Sequence, residues 1–217
     1  MKQYGPEAFL QDTGVSRETL SRLQTYADLL LTWNKKINLV GKSTEADLWQ
    51  RHMLDSAQIY PRLYPRSSHN SSKLLDMGSG AGFPGLVLAI MGVPEVHLVE
   101  VDQRKATFLR EAARVTGAPV TVHAKRIEDV PAFKIDVLTA RALAPLEDLL
   151  AWGERFLAEN SHCIFLKGQN VEVELTEAHK RWRISVDQVP SRTDLRASLL
   201  HISEVRRVGP DTTDRSA

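Results

Sequence analysis

The sequence predicts an α/β fold: a mostly parallel seven-stranded sheet with an antiparallel C-terminal hairpin, preceded by a helical extension. Three observations carry that expectation. From Lys73 onward, short apolar runs alternate with stretches of helical periodicity, as a parallel sheet covered on both faces requires. The first apolar run leads directly into a glycine-rich turn. The last two runs, 182–189 and 199–205, have no helical pattern between them, so they are expected to pair antiparallel.

Ser16 stands as an N-cap before apolar residues at Leu20, Leu23, Ala27, Leu30 and Leu31, a spacing that predicts a helix over 16–33. Thr44, with Asp47 three residues later, resembles a capping box and predicts a second helix to about Ile59, stopped by Pro61 and Pro65. The polar run 66–72 reads as a loop. Leu74 and Leu75 open the first strand, and 96–99, 120–123, 135–138 and 163–166 follow it. Helices are expected at 84–91, 103–116, 145–158 and 171–180. This gives a helical extension over 1–65 packed on the core, a sheet domain over 66–208, and a frayed polar tail over 209–217.

Composition excludes several classes. The 217 residues hold 28 basic and 27 acidic side chains, a formal net charge of +1, so a nucleic-acid surface must arise by local clustering. Hydrophobic residues make up 42%, enough for a packed core. The single cysteine, Cys163, can form neither an internal disulfide nor a zinc knuckle, and a reducing compartment is expected. No run approaches the ~20 apolar residues that span a bilayer, and the start lacks the apolar stretch of a signal peptide. A cytoplasmic protein without membrane or metal partners is expected.

The strongest chemical signal is Asp76-Met77-Gly78-Ser79-Gly80-Ala81-Gly82-Phe83-Pro84-Gly85, between a strand and a helix. Gly80, Gly82 and Gly85 satisfy the dinucleotide spacing, with Glu100 about 20 residues on at the end of the next strand, where a ribose-binding carboxylate sits. Asp76, Gly78, Gly80 and Gly82 equally satisfy the acidic-x-Gly-x-Gly-x-Gly pattern of S-adenosylmethionine-dependent methyltransferases. A pyrophosphate rests on free N–H groups of the first helical turn, and Pro84 in that turn has none to give. S-adenosylmethionine has no phosphate, and its positive sulfonium and amino group favour a nearby carboxylate such as Asp76.

The turn resembles that of the bacterial 16S ribosomal RNA guanine-N7 methyltransferases, the glucose-inhibited division B family. Asn38-Leu39, Arg51-His52-x-x-Asp55-Ser56, Lys105-x-x-Phe108-Leu109, Arg141-Ala142 and Leu166-Lys167-Gly168 extend the likeness from about Tyr26 to Gln169. The resemblance implies a class I, Rossmann-like methyltransferase fold. It implies S-adenosylmethionine contacts at Gly78 and Phe83, with Ile127 and Glu128 flanking the adenine and Arg141 at the cofactor site. It also raises a substrate-side role for the helix carrying Arg51, His52 and Asp55, which share one side at spacings of three and four. The implied partner is 16S ribosomal RNA or the small ribosomal subunit.

The segment 136–142 lacks the Asn/Asp-Pro-Pro-aromatic motif of exocyclic-amine methyltransferases. Guanine N7 bears a lone pair and no proton, so its methylation needs placement rather than a general base. Arg104, Lys105, Arg110 and Arg114, then Lys180, Arg181, Arg183, Arg206 and Arg207, are candidates for phosphate contact, joined by Lys167 at the end of the fifth strand. Three alternatives stay open at this point: a methyltransferase of another RNA or of a small molecule, a nicotinamide-dependent oxidoreductase, and a non-catalytic S-adenosylmethionine-binding regulator. The first two differ in cofactor. S-adenosylmethionine should raise the melting temperature and NAD should not; a thermal-shift series in which only NAD stabilises would reverse the assignment.

Overall fold

A computed structural model describes residues 4–63 and 72–208. The expected loop at 66–72 lies outside those residues except for Ser72, and the expected tail at 209–217 lies wholly outside them. Helix α1 (Pro6–Thr13), which the sequence reading did not anticipate, buries Phe9 against Trp49 with ring centroids 5.4 Å apart. Helix α2 (Arg17–Ile37) starts where expected, with the Ser16 hydroxyl accepting from Thr19 N, and ends at Asn38 in the left-handed region.

The second predicted helix is broken, which corrects the capping-box reading. Thr44 lies inside a short helix α3 (Lys42–Glu45), where its hydroxyl donates to the Gly41 carbonyl and meets His52 Nε2. It therefore caps nothing. A π-helical turn (Trp49–Leu54) follows, then a single helical turn α4 (Asp55–Ala57) and a 3-10 turn (Tyr60–Arg62).

The sheet alternates as expected: β1 (Lys73–Met77), α5 (Gly85–Ile90), β2 (Glu95–Val99), α6 (Gln103–Thr116), β3 (Val120–His123), β4 (Ile135–Arg141), α7 (Leu146–Gly153), β5 (Leu157–Lys167), α8 (Val171–His179), β6 (Trp182–Pro190) and β7 (Ser198–Arg207). The helix expected over 145–158 stops at Gly153. A Cβ there would run into the Leu138 side chain, a 3-10 turn (Glu154–Phe156) follows, and Leu157 already pairs with Ile135 of β4.

The strand order is β3-β2-β1-β4-β5-β7-β6, parallel apart from β7, which runs antiparallel to both its neighbours. Consecutive strand residues face opposite layers. Leu74, Val137, Ile164 and Leu199 join the core beneath α1, α2, α5 and α6. Leu75, Leu138, Phe165 and Leu200 join the core beneath α7 and α8. The extension shares the first core, and Arg22 of α2 donates to the terminal carbonyls of α6, those of Thr116 (2.7 Å) and Gly117 (3.1 Å). Among the described residues no helix is long and apolar enough to cross a membrane.

Helix α5 lies unusually close to the sheet. A Cβ on Gly85 would sit 2.8 Å from Asp76 Cβ and 2.5 Å from Leu98 Cδ2, so only glycine fits this contact. Gly85→Ala should cost about 1–3 kcal/mol by overpacking, more than helix propensity returns at a first-turn position. Urea unfolding measures it, and an unchanged midpoint would show that the contact yields freely.

Candidate functional site

The chain leaves β1 toward β2 on one side and reaches β4 on the other, so the carboxyl ends of β1 and β4 bound the crevice where open α/β sheets hold ligands. The glycine turn fills the rim of that crevice. Gly78 (φ 66°) and Gly80 (φ 57°) take the left-handed conformation, the Gly80 amide donates to Glu100 Oε2 at 2.8 Å, and the other Glu100 oxygen accepts from Asp102 N at 2.8 Å. The turn is also tied to the extension, because the fully buried Tyr26 hydroxyl donates to the Ala81 carbonyl at 2.6 Å. The resulting cavity has a volume of about 750 Å³, within the ~300–1,000 Å³ of small-molecule sites.

Gly78, Gly80, Phe83, Glu100, Ile127, Glu128 and Arg141 border the cavity, as do Arg51, His52, Asp55 and Lys167. Four placements correct the sequence reading. Asp76 does not reach the cavity: it has no solvent exposure, and its carboxylate accepts from Thr139 Oγ1 (2.9 Å) and Gly85 N (3.2 Å). Burial pushes its pKa up to about 6 against the lowering effect of these bonds, of Ser79 and of Arg141. It positions the turn and cannot face a sulfonium from there.

Gly82 (φ 104°) also lies behind the wall, where a Cβ would meet Leu86 Cβ at 2.8 Å and the Tyr26 hydroxyl at 3.1 Å. Lys167 is buried rather than free for a phosphate. Its ammonium pairs with Glu174 (2.5 Å) and donates to the Ala144 carbonyl (2.7 Å), while Glu174 accepts from the Leu146 amide (2.8 Å) at the start of α7. Pro84 precedes α5 instead of occupying its first turn, and the first helical N–H, that of Gly85, is taken by Asp76. A pyrophosphate would therefore meet a buried carboxylate where the dinucleotide template needs a free donor.

One wall is a connected polar group. The His52 ring stacks on Phe83 with centroids 5.0 Å apart, and the Arg141 guanidinium lies 4.9 Å from the same ring. Arg141 donates to His52 Nδ1 (2.9 Å), so the ring proton sits on Nε2 and is donated to Thr44 Oγ1 (2.9 Å). Arg141 also pairs with Asp55 (3.3 Å), whose other oxygen accepts from Thr193 Oγ1 (2.6 Å) and Gln58 Nε2 (2.9 Å). Arg51 pairs with Asp194 at 3.2 Å.

Tyr26, Thr44, Leu143, Thr193 and Asp194 were missed by sequence reasoning. Thr44 carried only a capping signal, Tyr26 only marked where the family likeness begins, and the loop joining β6 to β7 reads as a plain polar connection. Several basic residues expected at phosphates are engaged at the surface: Arg104 with Asp102, Arg114 with Glu111, Lys180 with Glu177, Arg181 with Glu147 and Arg207 with Glu154. Lys105, Lys125 and Arg126 border the cavity.

These walls fit S-adenosylmethionine. Glu100 keeps lone pairs for a ribose diol, Ile127 and Val101 give apolar flanks, and Gly80 offers backbone that a side chain would cover, its nearest outside neighbour being Gly78 O, 3.9 Å from an added Cβ.

Residues 19–201 match the family described as rRNA small subunit methyltransferase G. The "Ribosomal RNA small subunit methyltransferase G" of Paramagnetospirillum magneticum is 57% identical over 203 residues, covering 94% of this chain and 97% of the relative. The protein of the same name from Rhodospirillum rubrum is 52% identical, covering 93% and 98%. Among solved structures, magnesium protoporphyrin IX methyltransferase from Synechocystis PCC 6803 with bound SAM has a similar fold. Its TM-score is 0.58 at 12% identity, over 83% of this chain and 97% of that one.

Burial, then Arg141 and Arg51, push the His52 pKa from its ordinary 6.5 down to about 3. An unfolded chain takes up a proton at His52 as pH falls below about 6.5, while the folded chain resists it. This contribution to stability is therefore complete above pH 6.5 and is lost as pH falls toward 3. The His52 ring resonances in NMR should not move between about pH 8 and pH 5. A midpoint near 6.5 would mean that the Arg141–His52–Thr44 chain does not hold.

Proposed function

The chain belongs to the rRNA small subunit methyltransferase G family, and from that premise we propose that it methylates N7 of a guanine in 16S ribosomal RNA. Its cofactor is S-adenosylmethionine. When bound, S-adenosylmethionine supplies an electrophilic methyl carbon: the N7 lone pair forms the new bond, the C–S electrons go to sulfur, and no proton is released.

The observation that carries the N7 assignment is a wall of positioning groups with no free base. Among the described residues that line the cavity, both ring nitrogens of His52 are engaged, Asp55 holds Arg141 and Thr193, Glu100 holds two backbone amides, Glu128 pairs with Arg126 and Asp194 with Arg51 and Arg196, while Asp76 is out of reach. A reaction that must remove a proton finds no acceptor poised for it, whereas N7 needs none. Cys163 is fully buried, which pushes its thiol up to about 12, and it takes no part.

Glu100 would receive the ribose hydroxyls, Ile127 and Val101 would flank the adenine, and the open backbone at Gly80 would give the methionine room, while Gly78 packs under the Leu143 side chain. Arg141 spends some of its N–H donors on His52, Asp55 and the Arg51 carbonyl and keeps the rest for the cofactor carboxylate. Arg51, Lys105, Lys125 and Arg126 at the mouth meet the RNA backbone. The protein acts in the cytoplasm on 16S RNA or the small-subunit particle.

Ribosomal RNA from cells lacking this protein should lose one 7-methylguanosine that the protein restores. Single-turnover methyl transfer should be flat between about pH 6.5 and 9, because no base titrates in the step. A methylated exocyclic amine, or a rate rising tenfold per pH unit, would reject N7 chemistry.

A further inference from the structure

The loop 191–197 between β6 and β7 carries a leucine that the fold leaves uncovered: Leu195 is 96% exposed. Single exposed leucines are ordinary on protein surfaces. This one differs in what holds it and where it stands. Ser191 N donates to the Ala197 carbonyl (2.9 Å), Ala197 N to the Asp194 carbonyl (2.9 Å) and Arg192 N to Gln58 Oε1 (3.0 Å), so the loop is a fixed platform. Thr193 and Asp194 anchor it to Asp55 and Arg51, and both border the cavity. Leu195 therefore stands beside the mouth.

Its surroundings point to a nucleic-acid strand. Arg192 and Arg196, with side chains 49% and 74% exposed, flank the loop tip; their pairs with Asp12 (3.7 Å) and Asp194 (3.4 Å) are long and solvent-screened, so a phosphate can take either guanidinium. Of the six large hydrophobic residues exposed among those described, Val101 and Leu143 border this same cavity and Leu195 stands at its edge. Apolar surface is thus gathered around one opening. In duplex RNA, N7 lies in the deep, narrow major groove, where a cavity wall cannot reach it. A stacked guanine must leave its stack to reach the cavity; enzymes that act on a base extrude it, and proteins that unstack a base step frequently insert an apolar side chain there.

Resting on the reading of this chain as an RNA methyltransferase, we propose that Leu195 is a positioning wedge: it enters the stack beside the target guanosine while the guanine turns into the cavity. Arg192 and Arg196 hold the phosphates on either side. The wedge acts after docking, so its loss falls on turnover rather than on RNA affinity.

The test compares wild type with Leu195→Ser and Leu195→Met, each as the full chain. The substrate is 16S RNA or small-subunit particles from cells lacking the protein. Leu195→Ser should lower kcat about tenfold, with the KM for RNA, the S-adenosylmethionine affinity by calorimetry and the melting temperature unchanged. Leu195→Met should keep most of the turnover. Wild-type kcat in Leu195→Ser overturns the wedge, and so does a loss confined to KM, which would mark an ordinary docking contact to RNA or to a ribosomal protein. A wild-type chain that methylates no guanine in either substrate would instead overturn the functional reading, and the wedge with it.

Discussion

A carboxylate with no access to water holds this molecule's working end together. Asp76 sits on β1, accepts from Thr139 on β4 and from the first amide of α5, and stands two residues before Gly78, the first glycine of the turn. Burying it is unfavourable, as its raised pKa records, and two hydrogen bonds to its oxygens offset that cost. What results is a fixed relation among two strands and a helix at the switch point of the sheet. The same carboxylate occupies the helix amide that a pyrophosphate would use, so the stiffening of the turn also narrows the cofactor to one without phosphate.

The N-terminal extension forms part of the site. Tyr26 from the middle of α2 holds the turn at Ala81, and Asn34 accepts from the amides of Leu39 and Val40 to shape another stretch of wall. The broken helical segment brings His52 onto Phe83 and Asp55 onto Arg141. Asp55 then reaches the β6–β7 loop, so three distant parts of the chain share one carboxylate. A regular helix over 44–59 would have satisfied local propensity; packing His52 and Thr44 face to face won instead.

Electrostatics here is local. With a net charge of +1, the molecule as a whole does not attract RNA, and many of its surface cations are matched by acids, some two or three residues away and some across the fold. Such exposed pairs are screened by solvent and contribute little to stability. Lys167 is the contrasting case, because it is buried and fixes Glu174 and the start of α7 below the cavity.

The strands and most helices were legible because their signals are local: short continuous apolar runs such as Leu74-Leu75 and Val137-Leu138, the Ser16 cap, and the turn followed by Glu100, whose carboxylate does meet Gly80. The cavity's glycines and its Glu100 follow from that register. The direction of a polar side chain does not, since it depends on partners that are close only after folding. Asp76 turns inward to a hydroxyl 63 residues on, Lys167 turns to Glu174 instead of the solvent, and Asp55 meets Thr193 across 138 residues. Sequence by itself determined the sheet, its layers and the glycine turn, because backbone periodicity and capping act over a few residues. Only the tertiary structure decided which carboxylates and cations face the cavity and which support it from behind, because burial and hydrogen bonding are settled by neighbours far apart in the chain.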